Sequence, residues 1–253
     1  MTVREGEAAK RLTVAFLGST APGLTVRRRR PELMDDPGLD RARHVRALLA
    51  LRRVNRVSLA ARRVWLEVSR QHRMLGRSVR VLDLACGGGD VLVGVARSAR
   101  RAGVPVELHG CDLSPVALAQ GRRAAAALPE VELFHLDALR DELPPDYDLL
   151  TCSLFLHHLD EDEAARLLRR MADRCRHALL IQDLRRTVLG YALAWIGLRI
   201  LTRSDVARVD GLRSVRAAFT TGEMRMLCGR AGIGEARVDR AWPQRFTVRW
   251  ERS

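Results

Sequence analysis

The ten residues Val81-Leu-Asp-Leu-Ala-Cys-Gly-Gly-Gly-Asp90 constrain the fold of this chain more than any other stretch. Val81 to Leu84 is an apolar run of buried-strand type, and it ends in three glycines and an acid. Glycine tolerates positive φ and lets a ligand come close to the backbone. A buried strand that feeds a glycine turn and then a helix is the opening of a parallel β–α–β unit. Downstream, the pattern continues to alternate. Strands are expected at Val79 to Leu84, Val106 to Cys111, Val131 to Leu136, Tyr147 to Cys152 and Ala178 to Gln182. Helices are expected at Val91 to Arg101, from Ser114-Pro115 to about Ala127, and from the capping box Asp160/Glu163 to about Arg174. A second capping box, Thr220/Glu223, starts a helix that ends near Gly232. Two last strands, about Gly234 to Asp239 and Phe246 to Trp250, flank the Trp242-Pro243 turn.

The rest of the chain is arranged around this core. Residues 1–31 read as a poorly ordered basic leader, with a turn-rich Gly18 to Gly23 and the like-charge run Arg27 to Arg30. Residues 32–76 read as a helical cap. Asp36 is the expected N-cap and Pro37 the first helical residue of a helix to about Asn55; a second helix covers about Leu59 to Leu75 and stops at Gly76. Residues 77–253 form the main domain, with 184–218 as a lid-like insertion carrying one apolar helix, Val188 to Leu201.

Composition narrows the class. The chain has 253 residues, 47% hydrophobic and 29% charged, which is enough for one globular α/β domain with a full core. The apolar run Leu12 to Leu17 lacks the order of a secretory signal, and Val188 to Leu201 contains Arg199 and is too short to span a bilayer. Five cysteines, with no CxxC pair and no ligand spacing, argue against a disulfide framework or a metal and for a reducing, cytoplasmic setting. The formal charge of +14 invites a nucleic-acid partner. Lys10 is the only lysine, however, and the arginines are spread along the whole chain, so the charge reads as arginine usage more than as a binding surface.

Two ligand classes use a strand–glycine–helix turn: dinucleotides and S-adenosylmethionine. The dinucleotide fingerprint has a third glycine, whereas Gly87-x-Gly89 is followed here by Asp90, Val91 and Leu92. Asp83 and Asp90 bracket the turn with negative charge, which opposes a pyrophosphate and suits a sulfonium ligand with a free ammonium group. With these residues the segment resembles the first motif of class I S-adenosylmethionine-dependent methyltransferases, nearest to the quinone-biosynthesis type, over about Val79 to Trp250. The resemblance implies a Rossmann-like α/β fold: a seven-stranded, mostly parallel sheet with a C-terminal antiparallel hairpin under an N-terminal helical cap. It implies that Ala85, Gly87 and Gly89 pass under the methionine part of the cofactor and that Asp83 helps hold its amino group. It places Asp112 on the ribose hydroxyls, Leu113 against the adenine, Asp137 with Ala138 near the adenine amino group, and Ser153 beside the methyl-transfer site.

The acceptor side is less constrained. Histidine suits removal of an acceptor proton, and Leu154-Phe-Leu-His-His-Leu159 follows the fourth strand, so His157 is the candidate base, with His158 beside it and packing or capping as the alternative. Arg185 or Arg186 is a candidate holder of an acidic substrate, the alternative being a solvated arginine. Tyr191 to Leu201, with Trp195, is expected to close an apolar pocket; a membrane-surface helix, hence a peripheral membrane contact, is the alternative. Arg53 to Ser58 sits in the cap without a specific role. The expected acceptor is a lipophilic or aromatic small molecule (a quinone, phenol or polyketide-like product), with O-methylation ahead of C-methylation. The competing reading is an RNA or protein methyltransferase that uses the arginine-rich surface. Against it, the fourth-strand segment Thr151-Cys-Ser-Leu154 lacks the Asn/Asp-Pro-Pro-aromatic pattern of many amino-directed nucleic-acid methyltransferases.

Overall fold

The computed structural model describes residues 23–36 and 38–252. The apolar run Leu12 to Leu17, most of the expected leader and Pro37 lie outside the described residues.

The strands are β1 (Val79–Leu84), β2 (Val106–Asp112), β3 (Val131–His135), β4 (Tyr147–Ser153), β5 (Cys175–Leu184), β6 (Arg237–Ala241) and β7 (Arg245–Glu251). They form one seven-stranded sheet in the order β3-β2-β1-β4-β5-β7-β6. β1 to β5 are parallel, and β7 enters antiparallel beside β5 and pairs with β6 as a hairpin. The helices are α1 (Arg41–Val57), α2 (Ala60–Leu75), α3 (Asp90–Ala102), α4 (Pro115–Ala125), α5 (Glu161–Arg174), α6 (Val188–Leu201), α7 (Asp205–Ala217) and α8 (Thr221–Arg230). Short 3-10 turns occupy Leu33–Asp35 and Leu156–His158.

Strand alternation divides the core. Val79 and Val81 pack with Val64 and Val68 of α2 and with Val91, Leu92 and Val95 of α3. Leu82 and Leu84, on the other face, pack with Leu167, Leu168 and Met171 of α5 and Leu227 of α8. β1 and β4 are buried on both faces, which is why their sequences read as continuous apolar runs. Both expected capping boxes are formed, at Asp160/Glu163 and Thr220/Glu223. All five cysteines are free and buried, and no described helix is long and apolar enough to cross a membrane.

Three expectations are corrected. First, α1 starts at Arg41, not at Asp36: the Asp40 side chain accepts from Arg43 N at 2.9 Å, while Asp36 instead closes a turn onto Gly38 N at 2.8 Å. Second, residues 24–31 are built into the fold. The Arg27 guanidinium donates to Ala217 O at 2.6 Å and Leu159 O at 2.6 Å and lies 3.7 Å over the Phe219 ring. Burial lowers its pKa to about 10. Arg29 donates to His158 O at 2.8 Å and pairs with Glu163 at 3.1 Å. Guanidinium groups thus satisfy carbonyls that end the 156–158 turn and α7, so half of the like-charge run is an anchor. Third, the 184–218 segment holds two helices. The Ser204 side chain caps α7 by accepting from Ala207 N at 3.2 Å, and Gly211 admits Leu198 of α6 so closely that a Cβ there would meet Leu198 Cδ1 at 2.4 Å.

Candidate active site

The sheet delivers the ends of β1 and β2 side by side, and the glycine turn crosses between them. Cys86 N donates to Cys111 O at 2.9 Å, and Gly89 N donates back to Cys86 O at 3.0 Å. Ala85, Gly87 and Gly89 have φ of 53°, 56° and 64°. A Cβ on Gly87 or Gly88 would meet nothing within 4 Å, so this backbone faces open space. On Gly89 a Cβ would meet Leu133 Cδ1 at 3.0 Å. Gly87 therefore leaves room for a ligand, whereas Gly89 fits the turn against β3.

Three acids surround this turn. Asp83 is fully buried on β1 and accepts from Thr151 Oγ1 at 2.6 Å; burial, with further repulsion from Asp90 and Asp112, raises its pKa to about 7. Asp90 opens α3 and accepts from Asn55 Nδ2 of α1 at 3.0 Å; burial raises its pKa too. Asp112 ends β2. Its carboxylate accepts from Gly87 N at 2.8 Å through one oxygen and from Ser114 N at 2.8 Å through the other. Burial raises its pKa despite these bonds, and His44 of α1 lowers it. Each carboxylate oxygen of Asp112 keeps a lone pair, so a vicinal diol can still donate to both. Three mutually repelling carboxylates beside an open glycine backbone make an acceptor set for a ligand that is cationic at one end and hydroxylated beyond it. S-adenosylmethionine, with its sulfonium, ammonium and ribose, meets that requirement.

The other expected residues spread from this centre. Leu113, next to Asp112, is 55% exposed, and Ala138 is buried. Asp137 accepts from Leu139 N at 2.8 Å through one oxygen, with Arg140 at 3.8 Å from the other. Leu136 N donates to Asp112 O at 3.4 Å, which joins the ends of β2 and β3. Ser153 ends β4, and its Oγ lies 3.0 Å from Gln182 Nε2 of β5.

His157 belongs to a different cluster. Its Nδ1 lies 2.7 Å from Asp183 Oδ1, its backbone N donates to Asp183 Oδ2 at 3.0 Å, and its Nε2 lies 3.6 Å from Glu32. Burial alone would lower its pKa, but the two carboxylates outweigh it and raise the value to about 10. Such an imidazole is charged at neutral pH and has no free lone pair, which is contrary to the expectation of a general base. Arg186 is likewise committed: it forks onto Glu223 at 2.9 and 2.5 Å and donates to Ala218 O and Leu24 O. It has no fork left for an acidic substrate. Arg185 donates to Gln244 Oε1 at 2.6 Å.

Several site residues escaped the sequence reading. Thr151 sits opposite Asp83 only because β1 and β4 pair in that register. Asn55 was visible as part of Arg53 to Ser58 but had no role until α1 folded over Asp90. Arg245 of β7 is 1% exposed, donates to Asn55 Oδ1 at 3.3 Å, and has Nε and one Nη without a partner. Burial, then Arg63, lowers its pKa to about 10, while Asp183 and Asp90 raise it.

Comparison with known proteins bears on the domain and the fold. Residues 81–178 match a family model described as a methyltransferase domain. A 90-residue stretch is 33% identical to ubiquinone biosynthesis O-methyltransferase of Alkalilimnicola ehrlichii; it is 34% of this chain and 34% of that protein, so the chain matches about a third of the relative's length. Among solved structures, magnesium protoporphyrin IX methyltransferase of Synechocystis with bound S-adenosylhomocysteine superposes with a TM-score of 0.53 at 18% identity, over 77% of this chain and 84% of that one. The plantazolicin methyltransferase with bound S-adenosylhomocysteine gives 0.57 at 14% identity, over 80% and 85%. Residues 81–178 thus match a methyltransferase domain, and the chain shares its fold with methyltransferases of known structure that hold S-adenosylhomocysteine.

Proposed function

We propose that this protein transfers a methyl group from S-adenosylmethionine to a small lipophilic or aromatic acceptor, at oxygen in preference to carbon. The observation that carries the reading is the cluster of Asp83, Asp90 and Asp112 around the open backbone of Gly87 and Gly88. When bound, S-adenosylmethionine supplies an electrophilic methyl on a positively charged sulfur. Asp83 then balances the ammonium end, Asp112 takes the ribose diol, and the turn leaves the backbone free to lie against the methionine chain. Asp137 and Ala138 flank the adenine amino end, with Leu113 on its face. Ser153, beside Gln182 at the ends of β4 and β5, borders the space for the acceptor. Methyl transfer is chiefly a matter of aligning acceptor and donor. His157 serves that alignment indirectly, as the charged pin that fixes the 156–158 turn to β5.

The acceptor class rests on weaker likenesses that point the same way. The relative named above is an ubiquinone biosynthesis O-methyltransferase. Structures of similar fold include an O-methyltransferase in complex with apigenin, the pyocyanin biosynthetic protein and human N-acetylserotonin methyltransferase. The test is incubation of the protein with methyl-labelled S-adenosylmethionine and fractionated lipophilic, protein and RNA extracts. Label in a lipophilic small molecule is expected. Label in RNA or protein alone would refute the acceptor class.

A further inference from the structure

Helix α6 is apolar around nearly its whole circumference, yet the fold leaves much of it at the surface. Leu189, Leu193, Ile196 and Ile200 follow a 4-3-4 spacing and are 55%, 37%, 49% and 76% exposed. At about 100° per residue this spacing makes one narrow stripe, opposite the Leu198 side that packs on α7. A helix that is apolar all round belongs in a core or in lipid. Among the described residues nothing covers this stripe.

Beside it lies a cavity of about 430 Å³ between α6, α7 and the 24–31 strap, lined by Arg28, Arg30, Arg199, Arg208, Arg213 and Arg216 with Val209 and Leu212. Among the described residues no carboxylate lines it. Arg199 and Arg208 donate only to backbone carbonyls among their described contacts, and Arg216 donates to Tyr191 Oη at 2.7 Å. Arg213 alone stands near an acid, Asp210 at 3.7 Å, and Asp210 is already taken by the backbone N–H groups of Leu33 and Met34. Elsewhere the chain pairs its arginines readily, as at Arg77–Asp148, Arg100–Glu130 and Arg186–Glu223. Arg199 also lies 3.8 Å over the ring of Trp195, which is 41% exposed on the flank of the helix between the stripe and the Leu198 side.

We propose that the α6–α7 face docks on an anionic lipid surface, with the aliphatic stripe among the acyl chains and the arginine-lined cavity over the headgroup phosphates. The two layers of the face match the two layers of a bilayer leaflet. An apolar stripe enters the hydrocarbon edge, a tryptophan sits at the boundary, and guanidinium groups that, Arg213 apart, have no carboxylate beside them among the described residues meet the anionic rim. A protein partner would need a matching row of carboxylates at one fixed spacing; a fluid leaflet supplies anionic groups wherever the arginines stand. The inference goes beyond methyl transfer and does not depend on it.

The test uses the full chain and sedimentation with vesicles of phosphatidylcholine alone or mixed with phosphatidylglycerol. Binding to the anionic vesicles is expected to exceed binding to the neutral ones by about tenfold or more and to fall steeply with salt. The Ile196→Glu/Ile200→Glu and Arg199→Gln/Arg208→Gln variants are each expected to lower it by about tenfold, as removal of buried apolar area or surface charge should. S-adenosylhomocysteine binding by calorimetry checks that each variant is folded, and the milder Ile200→Ser stands in if the double glutamate variant is not. Equal binding to neutral vesicles, or binding insensitive to both pairs of substitutions, would overturn the proposal. So would competition by inorganic phosphate that abolishes binding, RNA binding lost in the arginine variant without vesicle binding, or a dimer that the stripe variant converts to monomer.

Discussion

Replacing Asp112 by alanine should separate ligand binding from folding. The carboxylate accepts two backbone N–H groups, each at 2.8 Å, and burial holds its pKa above the usual carboxylate value. Its charge is therefore a cost to the free protein, and removing it gives back part of what the two lost hydrogen bonds take away. The net loss of stability should be about 1 kcal/mol. Binding has no such offset. Two ribose hydroxyls lose an ionised acceptor, at about 1.5–3 kcal/mol for each such bond, so affinity should fall by at least about 3 kcal/mol, on the order of 100-fold in Kd. Asp112→Asn keeps one acceptor oxygen and should lose about tenfold. Calorimetric titration with S-adenosylhomocysteine, paired with urea unfolding, reads both quantities. A folded Asp112→Ala protein that binds within about threefold of the parent would remove the ribose from this carboxylate.

Asp183→Asn should destabilise the protein by about 3–5 kcal/mol near neutral pH, because it leaves the His157 imidazolium buried beside a weaker partner. His157 is raised from 6.5 to about 10, so its contribution is complete below about pH 6.5 and fades toward pH 10; Asp183 is lowered, so its contribution is lost only in acid. The gap between parent and variant in urea unfolding should therefore shrink from pH 6.5 to pH 10, and a constant or growing gap would contradict the pairing. Asp83, raised to about 7, should make S-adenosylhomocysteine bind about tenfold more weakly at pH 5.5 than at pH 8, with the dependence abolished in Asp83→Asn. The same shift means that the free protein loses stability as pH climbs from 3.8 toward 7, so binding and stability move in opposite senses. Gly89→Ala, with φ of 64° and Leu133 at 3.0 Å, should cost about 1–2 kcal/mol of stability. Gly87→Ala, strained by its φ of 56° but pointing into open space, should cost about 1 kcal/mol of stability and more than that in affinity; the reverse ranking would misplace the ligand.

His157 shows where sequence reading stopped. Its position after the fourth strand was legible, and so was the suitability of histidine for proton transfer. Its protonation was not, because Asp183 lies 26 positions away and Glu32 comes from the N-terminal segment, just before the 33–35 turn. Arg186 followed the same course: its place at the end of β5 was visible, but its pairing with Glu223 depended on where α8 docks. The start of α1 and the existence of α7 are hidden in the sequence for a local reason. Asp36 and Asp40 are both plausible caps, and α7 carries too mixed a pattern to announce itself next to an apolar neighbour.

By itself the sequence determined the alternating α/β plan, the glycine turn between acids, and the acids that end successive strands. Those features are local or periodic: strand burial on both faces, capping boxes and glycine φ preferences act over a few residues. Only the tertiary structure decided which charges meet. Burial raised Asp83, two carboxylates drove the buried His157 to its charged state, and the packing of α6 against α7 left an apolar stripe beside arginines that, Arg213 apart, have no acid beside them among the described residues. Electrostatic partnership depends on distance in space and on exclusion of water, and neither is written in the order of the residues.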